Sequence, residues 1–180
     1  MAQALAGSQA AFEQIVRRYQ RPVFNLIARM TNDPALAEDL AQETFVKAFR
    51  NLAAFDVSRR FSSWIFRIAH NTTLDALRRT RLPTRPLDEP GRPPDGAPRT
   101  GVGISPPDPA EREALGRALN AALGQLRPEY RTAIVLRYDE GLPFEEIGHV
   151  MGIPAATART YVHRARKEMA EALTAAGWAP

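Results

Sequence analysis

The apolar residues of this chain recur at helical spacing in several separate stretches. Between residues 10 and 29, large apolar side chains occur every three or four positions, so they share one face of a helix. The "TNDP" turn that follows offers Asn32 or Asp33 as the cap of a helix that begins at Pro34. No stretch alternates apolar and polar residues at period two, so the chain is predicted to be all-α. The predicted helices cover residues 10–29, 34–52, 59–79, 110–124, 128–138, 143–150 and 155–172.

The helix over residues 59–79, for which Ser62 is the predicted cap, carries a tryptophan on its polar side. At about 100° per residue, Trp64 heads a stripe that continues through polar and charged residues, opposite an apolar arc. A tryptophan gains much free energy from burial, so its position has two explanations. Either Trp64 covers the core of its domain with its indole N–H on a polar neighbour, or it faces a ligand. The rest of the stripe is Arg67, Asn71, Asp75 and Arg78.

The last two predicted helices form a second motif. Between them, Gly152 tolerates a positive φ and Pro154 stops the first helix from continuing. The second helix buries an apolar face and turns a basic face outward. This arrangement is typical of a helix-turn-helix, whose second helix enters the DNA major groove, although ordinary helical hairpins produce it too. The outward residues are Arg159, Thr160, His163, Arg166 and Lys167.

Residues 82–108 divide the helices into two groups. Twelve of these 27 residues are Pro or Gly, and few are large and apolar. Such a segment cannot continue a helix or bury enough surface to offset the entropy of ordering it. We therefore expect two small helical domains, residues 1–81 and 109–180, joined by an extended flexible linker.

Charge is unevenly distributed along the chain, although the net charge is only +4. Residues 59–81 contain six arginines and one acid, and residues 155–167 contain four basic residues and no acid. Two basic segments indicate two contacts with one polyanion, with two solvated helix faces as the alternative.

Several classes of protein are disfavoured by the composition. The chain has no cysteine, which excludes disulfides and thiolate metal sites. Its start has no signal-peptide pattern, and it contains no run of 18 apolar residues. We therefore expect a cytoplasmic protein without membrane insertion. The three histidines are dispersed, and no phosphate-binding loop or nucleophile signature is present, so we expect neither a cofactor nor enzymatic activity.

Three stretches together resemble bacterial sigma factors of the extracytoplasmic-function (ECF) type, in the sigma-70 family. They are "DPALAEDLAQETFVKAFRNLAAF", "FSSWIFRIAHNTTLDALRR" and "LPFEEIGHVMGIPAATARTYVHRARKEM", in this order and separated by the linker. The resemblance implies that the first domain binds the −10 promoter element and the second the −35 element. It also implies binding to core RNA polymerase, recruitment of the polymerase to specific promoters and assistance in opening them. An anti-sigma factor is a further expected partner.

The resemblance also implies three sets of binding residues. Melted −10 DNA would be held by an aromatic and basic site in which Phe61 and Trp64 form the walls. The −10 set is Ser58, Arg59, Arg60, Phe61, Ser62, Trp64, Arg67, Asn71, Arg78 and Arg79. The −35 set, for duplex DNA, is Thr157, Arg159, Thr160, His163, Arg164, Arg166 and Lys167. The set that docks on the β′ clamp helices of the polymerase is Asp39, Gln42, Glu43 and Lys47, while the second domain contacts the β flap.

One alternative to a sigma factor is an autonomous helix-turn-helix regulator with an N-terminal sensor or dimerisation domain. Such a regulator normally binds paired half-sites as a symmetric dimer. The chain has no heptad seam for a dimer. Three residues also depart from the common sigma pattern, and they leave the −35 sequence preference open. They are Pro143, His149 and Tyr161.

Overall fold

The computed structural model describes residues 2–5, 7–81 and 109–178, and the regular structure of these residues is entirely helical. This confirms the predicted all-α class. The predicted linker, residues 82–108, lies outside the described residues. No helix in the described ranges is long and apolar enough to cross a membrane. The helices are α1 (Ala2–Leu5), α2 (Gln9–Thr31), α3 (Pro34–Arg50), α4 (Phe61–Arg81), α5 (Pro109–Gln125), α6 (Pro128–Tyr138), α7 (Phe144–Met151) and α8 (Ala155–Ala175), with a 3-10 turn at Leu52–Ala54.

Both residues proposed as caps in the "TNDP" turn have a role. Asn32 ends α2 in the left-handed conformation, with φ of 55°, and its N–H donates to the carbonyl of Ala28. Asp33 begins α3, because its carboxylate accepts the N–H of Leu36 at 3.0 Å. Asn32 therefore caps the end of α2, and Asp33 caps the start of α3.

The predicted cap of α4 is wrong. The helix begins at Phe61, and the N–H of Trp64 already donates to the carbonyl of Arg60 at 3.3 Å. Ser62 therefore lies inside the first turn. The reason is packing. Phe61 is only 9 % exposed, and its ring contacts Tyr19 and Phe55, so starting the helix at Phe61 places this ring in the core.

The first domain packs α2, α3 and α4 against one another. The apolar arc predicted for α4 forms much of this core, with Ile65, Phe66 and Ala69 buried. Three threonines are buried in this core: the hydroxyls of Thr44 and Thr73 donate to carbonyls within their own helices at 2.7 and 2.8 Å, and the hydroxyl of Thr72 accepts from Lys47 at 3.1 Å. Their polar atoms are therefore buried without losing their hydrogen bonds.

The second domain is a helix-turn-helix supported by α5 and α6. Gly152 ends α7 with φ of 69°, as its position in the turn predicts. A second glycine, Gly148, lets the chain after the turn pass close to α7: a Cβ there would lie 2.6 Å from the carbonyl oxygen of Ile153. The α8 face that packs on this unit contains Ala158, Val162 and Ala165, all buried.

The two domains are in contact, α2 with α6 and α4 with α7. Arg29, in the last turn of α2, donates to Asn120 Oδ1 at 2.6 Å and lies 3.7 Å from Asp139 Oδ2. Arg131 of α6 donates back to the carbonyl of Arg29 at 3.2 Å. The carbonyl end of α2 is thereby paired with a cation of the second domain, a favourable arrangement at a helix C-terminus.

Candidate nucleic-acid interface

A pocket of about 620 Å³ lies where α3, α4 and α7 meet. Five residues predicted to bind DNA or polymerase line it, together with further residues that the sequence did not indicate. The predicted ones are Lys47, Arg59, Trp64, Arg67 and Asn71, and the others include Phe55, Asp56 and His149. The structure therefore brings part of the predicted −10 set together around one cavity.

Trp64 is half-buried, so it both covers the core of its domain and faces a cavity. Its ring packs at centroid distances of 5.3 Å from Phe55 and 5.3 Å from Phe61, and its remaining surface faces the pocket. Phe61, predicted as the second wall, instead lies beneath Trp64 and does not line the cavity. Phe55 supplies pocket surface in its place. The aromatic cluster fixes the orientation of the Trp64 ring.

The loop before α4 is ordered by an acid that the sequence reasoning missed. Asp56 Oδ1 accepts the N–H of Ser58 at 3.0 Å and its hydroxyl at 2.7 Å, while Arg59 Nε lies 3.5 Å from Oδ2. The Ser58 hydrogen bonds hold the pKa of the Asp56 carboxyl below its usual value. An Asp side chain that accepts the backbone N–H two residues on is a common turn device, so Asp56 in this loop was a signal that the sequence contained.

The other basic residues of the −10 set are exposed. Arg60, Arg67, Arg78 and Arg79 all lie on the surface, and Asn71 does too. Arg78 is 3.8 Å from Asp75, the one acid on that side of α4, and the pair is exposed. An exposed guanidinium presents several N–H donors in a planar fork, which suits the phosphates of an anionic partner.

His149 of α7 lies against the arginines of the first domain. Arg59 Nη1 is 3.1 Å from His149 Nδ1, and Arg67 Nη1 is 3.4 Å from both ring nitrogens. Burial lowers the pKa of His149, and the charges of Arg67 and Arg59 lower it further. A neutral imidazole accepts hydrogen bonds, so it suits this position between two guanidinium groups.

The basic face of α8 is open to solvent. Arg159, Thr160, His163 and Arg166 are exposed, as is Lys167, whereas Thr157 is half-buried. The Arg159 guanidinium lies over the Phe144 ring at 5.2 Å, a contact that holds it near the start of α8.

Arg164 is also exposed on α8 but has a partner. It donates from Nη1 to the hydroxyl of Tyr130 on α6 at 2.9 Å, and this bond raises the pKa of the guanidinium. The arginine therefore links α8 to α6. A guanidinium has five N–H donors, and this bond uses one of them.

The three histidines have different environments. His70 is buried in α4, and burial lowers its pKa, whereas His163 is exposed. Among the described residues, no three His, Asp or Glu side chains lie close enough to hold a metal ion.

The predicted polymerase-docking residues form a stripe on α3. Asp39 and Gln42 are exposed, and Glu43 pairs with Lys47 at 2.8 Å. Lys47 also donates to the Thr72 hydroxyl at 3.1 Å, so the stripe ends at the pocket. Two exposed apolar residues that the sequence reasoning missed lie on the same helix, Val46 at 49 % and Phe49 at 58 % exposure.

Comparison with known proteins defines the class. The family model described as Sigma-70 region 2 matches residues 15–82, and the one described as Sigma-70, region 4 matches residues 116–169. These are the two helical domains of the structure. The chain therefore belongs to the sigma-70 family.

Its relatives narrow this assignment to the ECF group. The chain is 35 % identical over 175 residues to the ECF RNA polymerase sigma factor SigW of Bacillus subtilis, covering 95 % of this chain and 93 % of SigW. It is 38 % identical over 167 residues to the RNA polymerase sigma factor CarQ of Myxococcus xanthus, covering 93 % and 91 %. The protein is an ECF RNA polymerase sigma factor. This assignment replaces the alternative of an autonomous helix-turn-helix regulator.

Solved structures agree with this fold. CnrH, in complex with the cytosolic domain of CnrY, matches with a TM-score of 0.68 at 29 % identity, covering 97 % of this chain and 94 % of CnrH. The sigma factor RpoE from Bartonella quintana, in complex with the anti-sigma factor NepR, matches with a TM-score of 0.69 at 22 % identity, covering 91 % and 97 %.

Proposed function

We propose that the Trp64 pocket captures melted −10 DNA and that the open face of α8 reads the −35 element. The observation that carries this proposal is an oriented, half-exposed tryptophan in a cavity edged by Arg59 and Arg67. The domain boundaries that go with it are 1–81 and 109–180. With no reaction to perform, the protein acts as a non-enzymatic, cytoplasmic subunit.

Opening a promoter requires an extruded base to be held away from its complement. Extrusion costs a few kcal/mol, and stacking on an aromatic ring returns roughly 1–3 kcal/mol per base. Phe55 and Phe61 hold the Trp64 ring in place before DNA arrives, so little entropy is lost when a base stacks on it. Arg59 and Arg67 then bind the phosphates beside that base.

On α8, position along the helix separates two kinds of contact. Arg159, Thr160 and His163 lie in its first half, where a major-groove helix reaches base edges. The later residues, Arg166 and Lys167, contact backbone phosphates, which fix the register of the helix without reading sequence. Arg164 contributes to the same phosphate contact through the N–H groups that Tyr130 leaves unused.

For core polymerase, the proposal uses the stripe on α3. Asp39, Gln42, Glu43 and Lys47 would bind the β′ clamp helices, with the exposed ring of Phe49 beside them. The second domain would bind the β flap. An anti-sigma factor is the proposed regulator, and the related CnrH was solved with the cytosolic domain of another protein, CnrY.

The test is run-off transcription with purified core polymerase on a promoter library. The chain should direct initiation from a set of promoters that share −10 and −35 sequences. Charge reversal of both Asp39 and Glu43 should reduce co-purification with core polymerase while leaving helical content unchanged. Substitutions of exposed side chains usually cost less than about 0.5 kcal/mol of stability. Initiation at random sites by the wild-type chain would contradict the proposal.

A further inference from the structure

The Phe144 ring lies beside the arginine that is proposed to read the −35 element. The guanidinium carbon of Arg159 is 5.2 Å from the centroid of this ring. Within the part of the chain that the structure describes, the Arg159 side chain has no hydrogen bond or ion pair. We infer that Phe144 is a positioning residue for −35 recognition, because it holds the Arg159 side chain in the orientation from which it reads a base. This inference rests on the proposed reading role of Arg159.

The backbone that carries the ring is fixed before DNA binds. Phe144 is the first residue of α7 and directly follows Pro143. The carbonyl of Pro143 accepts the N–H groups of Glu146 and Ile147, each at 3.0 Å. Proline has a fixed φ, so this helix start has little conformational freedom. The Phe144 side chain is half-buried and packs against the hydrophobic core, which leaves the rest of the ring for contact with Arg159.

A second arginine supports the ring from α6. The guanidinium carbon of Arg137 is 4.8 Å from the Phe144 centroid, and Arg137 Nη1 donates to the carbonyl of Leu142 at 2.9 Å. The face of an aromatic ring attracts cations, so both arginines have a favourable contact with it. Arg137 is half-buried and bonded to the backbone, whereas Arg159 is exposed. Arg137 therefore belongs to the support of the ring, and Arg159 is the arginine that can extend to DNA.

A ring contact favours base reading for two reasons. An arginine side chain has much rotamer entropy, so a contact that orders it in the free protein reduces the entropy lost on binding. The donors of a guanidinium lie in its plane, so contact through its flat face leaves them available for O6 and N7 of guanine. A phosphate contact tolerates more orientations. In agreement, Arg166 and Lys167, which are proposed to bind phosphate, have no cation–π partner among the described residues.

The first experiment tests the positioning by NMR in the free, full-length chain. Nitrogen relaxation at Arg159 Nε should show an ordered side chain, and the Cδ protons should be shifted upfield by the ring current of Phe144. Phe144→Leu should abolish the upfield shift and make the arginine mobile. Phe144→Tyr keeps the ring and should preserve both signals. A wild-type Arg159 side chain as mobile as that in Phe144→Leu would overturn the positioning.

The second experiment measures promoter recognition by the chain bound to core polymerase. A promoter from the run-off library is varied one base at a time, and Arg159→Ala identifies the −35 position that this arginine reads. Phe144→Leu should reduce the preference at that position by about two- to fivefold, the ratio that an exposed cation–π contact provides. It should have no further effect there when combined with Arg159→Ala. Phe144→Tyr should retain the wild-type preference, and the salt dependence should not change because no phosphate contact is lost.

Leu126→Val provides the matched packing control. Leu126 is buried just before the start of α6, and Arg137 lies in the last turn of that helix, so this variant loosens the same domain far from the ring. A lower folded fraction weakens binding to every promoter by the same factor and leaves the preference between bases unchanged. A uniform loss of this kind for Phe144→Leu, or a sharper preference, would overturn the inference. Failure of the proposed reading role would show separately, as an Arg159→Ala variant that flattens no position although the ring orders Arg159 in the free chain.

Discussion

Replacing Gly148 with alanine should destabilise the second domain, against the usual trend for glycine in a helix. Gly148 lies inside α7, where alanine would ordinarily gain up to about 1 kcal/mol from helix propensity. A Cβ at this position would lie 2.6 Å from the carbonyl oxygen of Ile153 and 3.2 Å from the N of Ala155. Both obstacles are backbone atoms, so no side-chain rotation relieves the contact.

The magnitude follows from that distance. A carbon–oxygen contact is comfortable at about 3.3 Å or more, so the turn has to move by roughly 0.7 Å. Overpacking of this kind costs about 1–3 kcal/mol, and a rigid obstacle favours the upper half of that range. Subtracting the gain in propensity leaves a net loss of about 1–2 kcal/mol, or roughly 2–8 °C in melting temperature for a chain of this size.

Gly116 provides the matched control. It lies inside α5, and a Cβ there meets no atom within 4 Å. Gly116→Ala should therefore stabilise the protein by about 0.5–1 kcal/mol. Thermal unfolding followed by circular dichroism measures both variants. Because the shifted turn also reorients α8, Gly148→Ala alone should weaken −35 binding in the polymerase complex. A melting temperature for Gly148→Ala at or above the wild-type value would refute this account of the turn.

Three further predictions concern DNA and pH. Trp64→Ala should leave binding to core polymerase intact but impair opening by roughly 1–3 kcal/mol per stacked base, detected as weaker permanganate reactivity; equal opening would assign Trp64 to core packing alone. Arg159→Ala should flatten the preference at one −35 position, whereas Lys167→Ala should weaken binding evenly with a shallower salt dependence, as measured on a set of single-base promoter variants. Burial and, to a smaller extent, the charge of Asp139 raise the pKa of Glu140 to about 7, so the folded state binds the proton more tightly than the unfolded state does. Protonation of Glu140 therefore stabilises the folded state below the unfolded pKa, and this contribution is lost as the pH rises to about 7. Glu140→Gln should reduce the fall in melting temperature between about pH 5 and pH 8.

Helical periodicity predicted most of the fold because each helix has one clearly apolar face. The helix at residues 128–138 was predicted with the bounds that the structure shows, and others differ by a few residues at their ends. The failure at Ser62 has a specific cause: capping preference contributes about 1 kcal/mol, and burial of the Phe61 ring outweighs it. Short-range signals of this kind lose to packing when the two conflict.

The contact between domains could not be predicted in the same way. His149 on a short helix has no pattern that identifies its partners, which lie 82 and 90 positions earlier in the chain. The same holds for the bond from Arg29 to Asn120. Periodicity shows which face of a helix is buried within a domain, but it carries no information on which exposed faces meet.

Trp64 shows why the candidate site was only partly visible in the sequence. Its place on the polar stripe of α4 correctly indicated exposure, and its size correctly indicated burial. The structure satisfies both, because Phe55 and Phe61 cover part of the ring while the rest lines a cavity. Phe55 follows the 3-10 turn, outside every predicted helical face, so no helical pattern could have placed it there. The site needs buried aromatic residues that fix the Trp64 ring and exposed residues that line the cavity. Helical spacing indicates only the exposed residues.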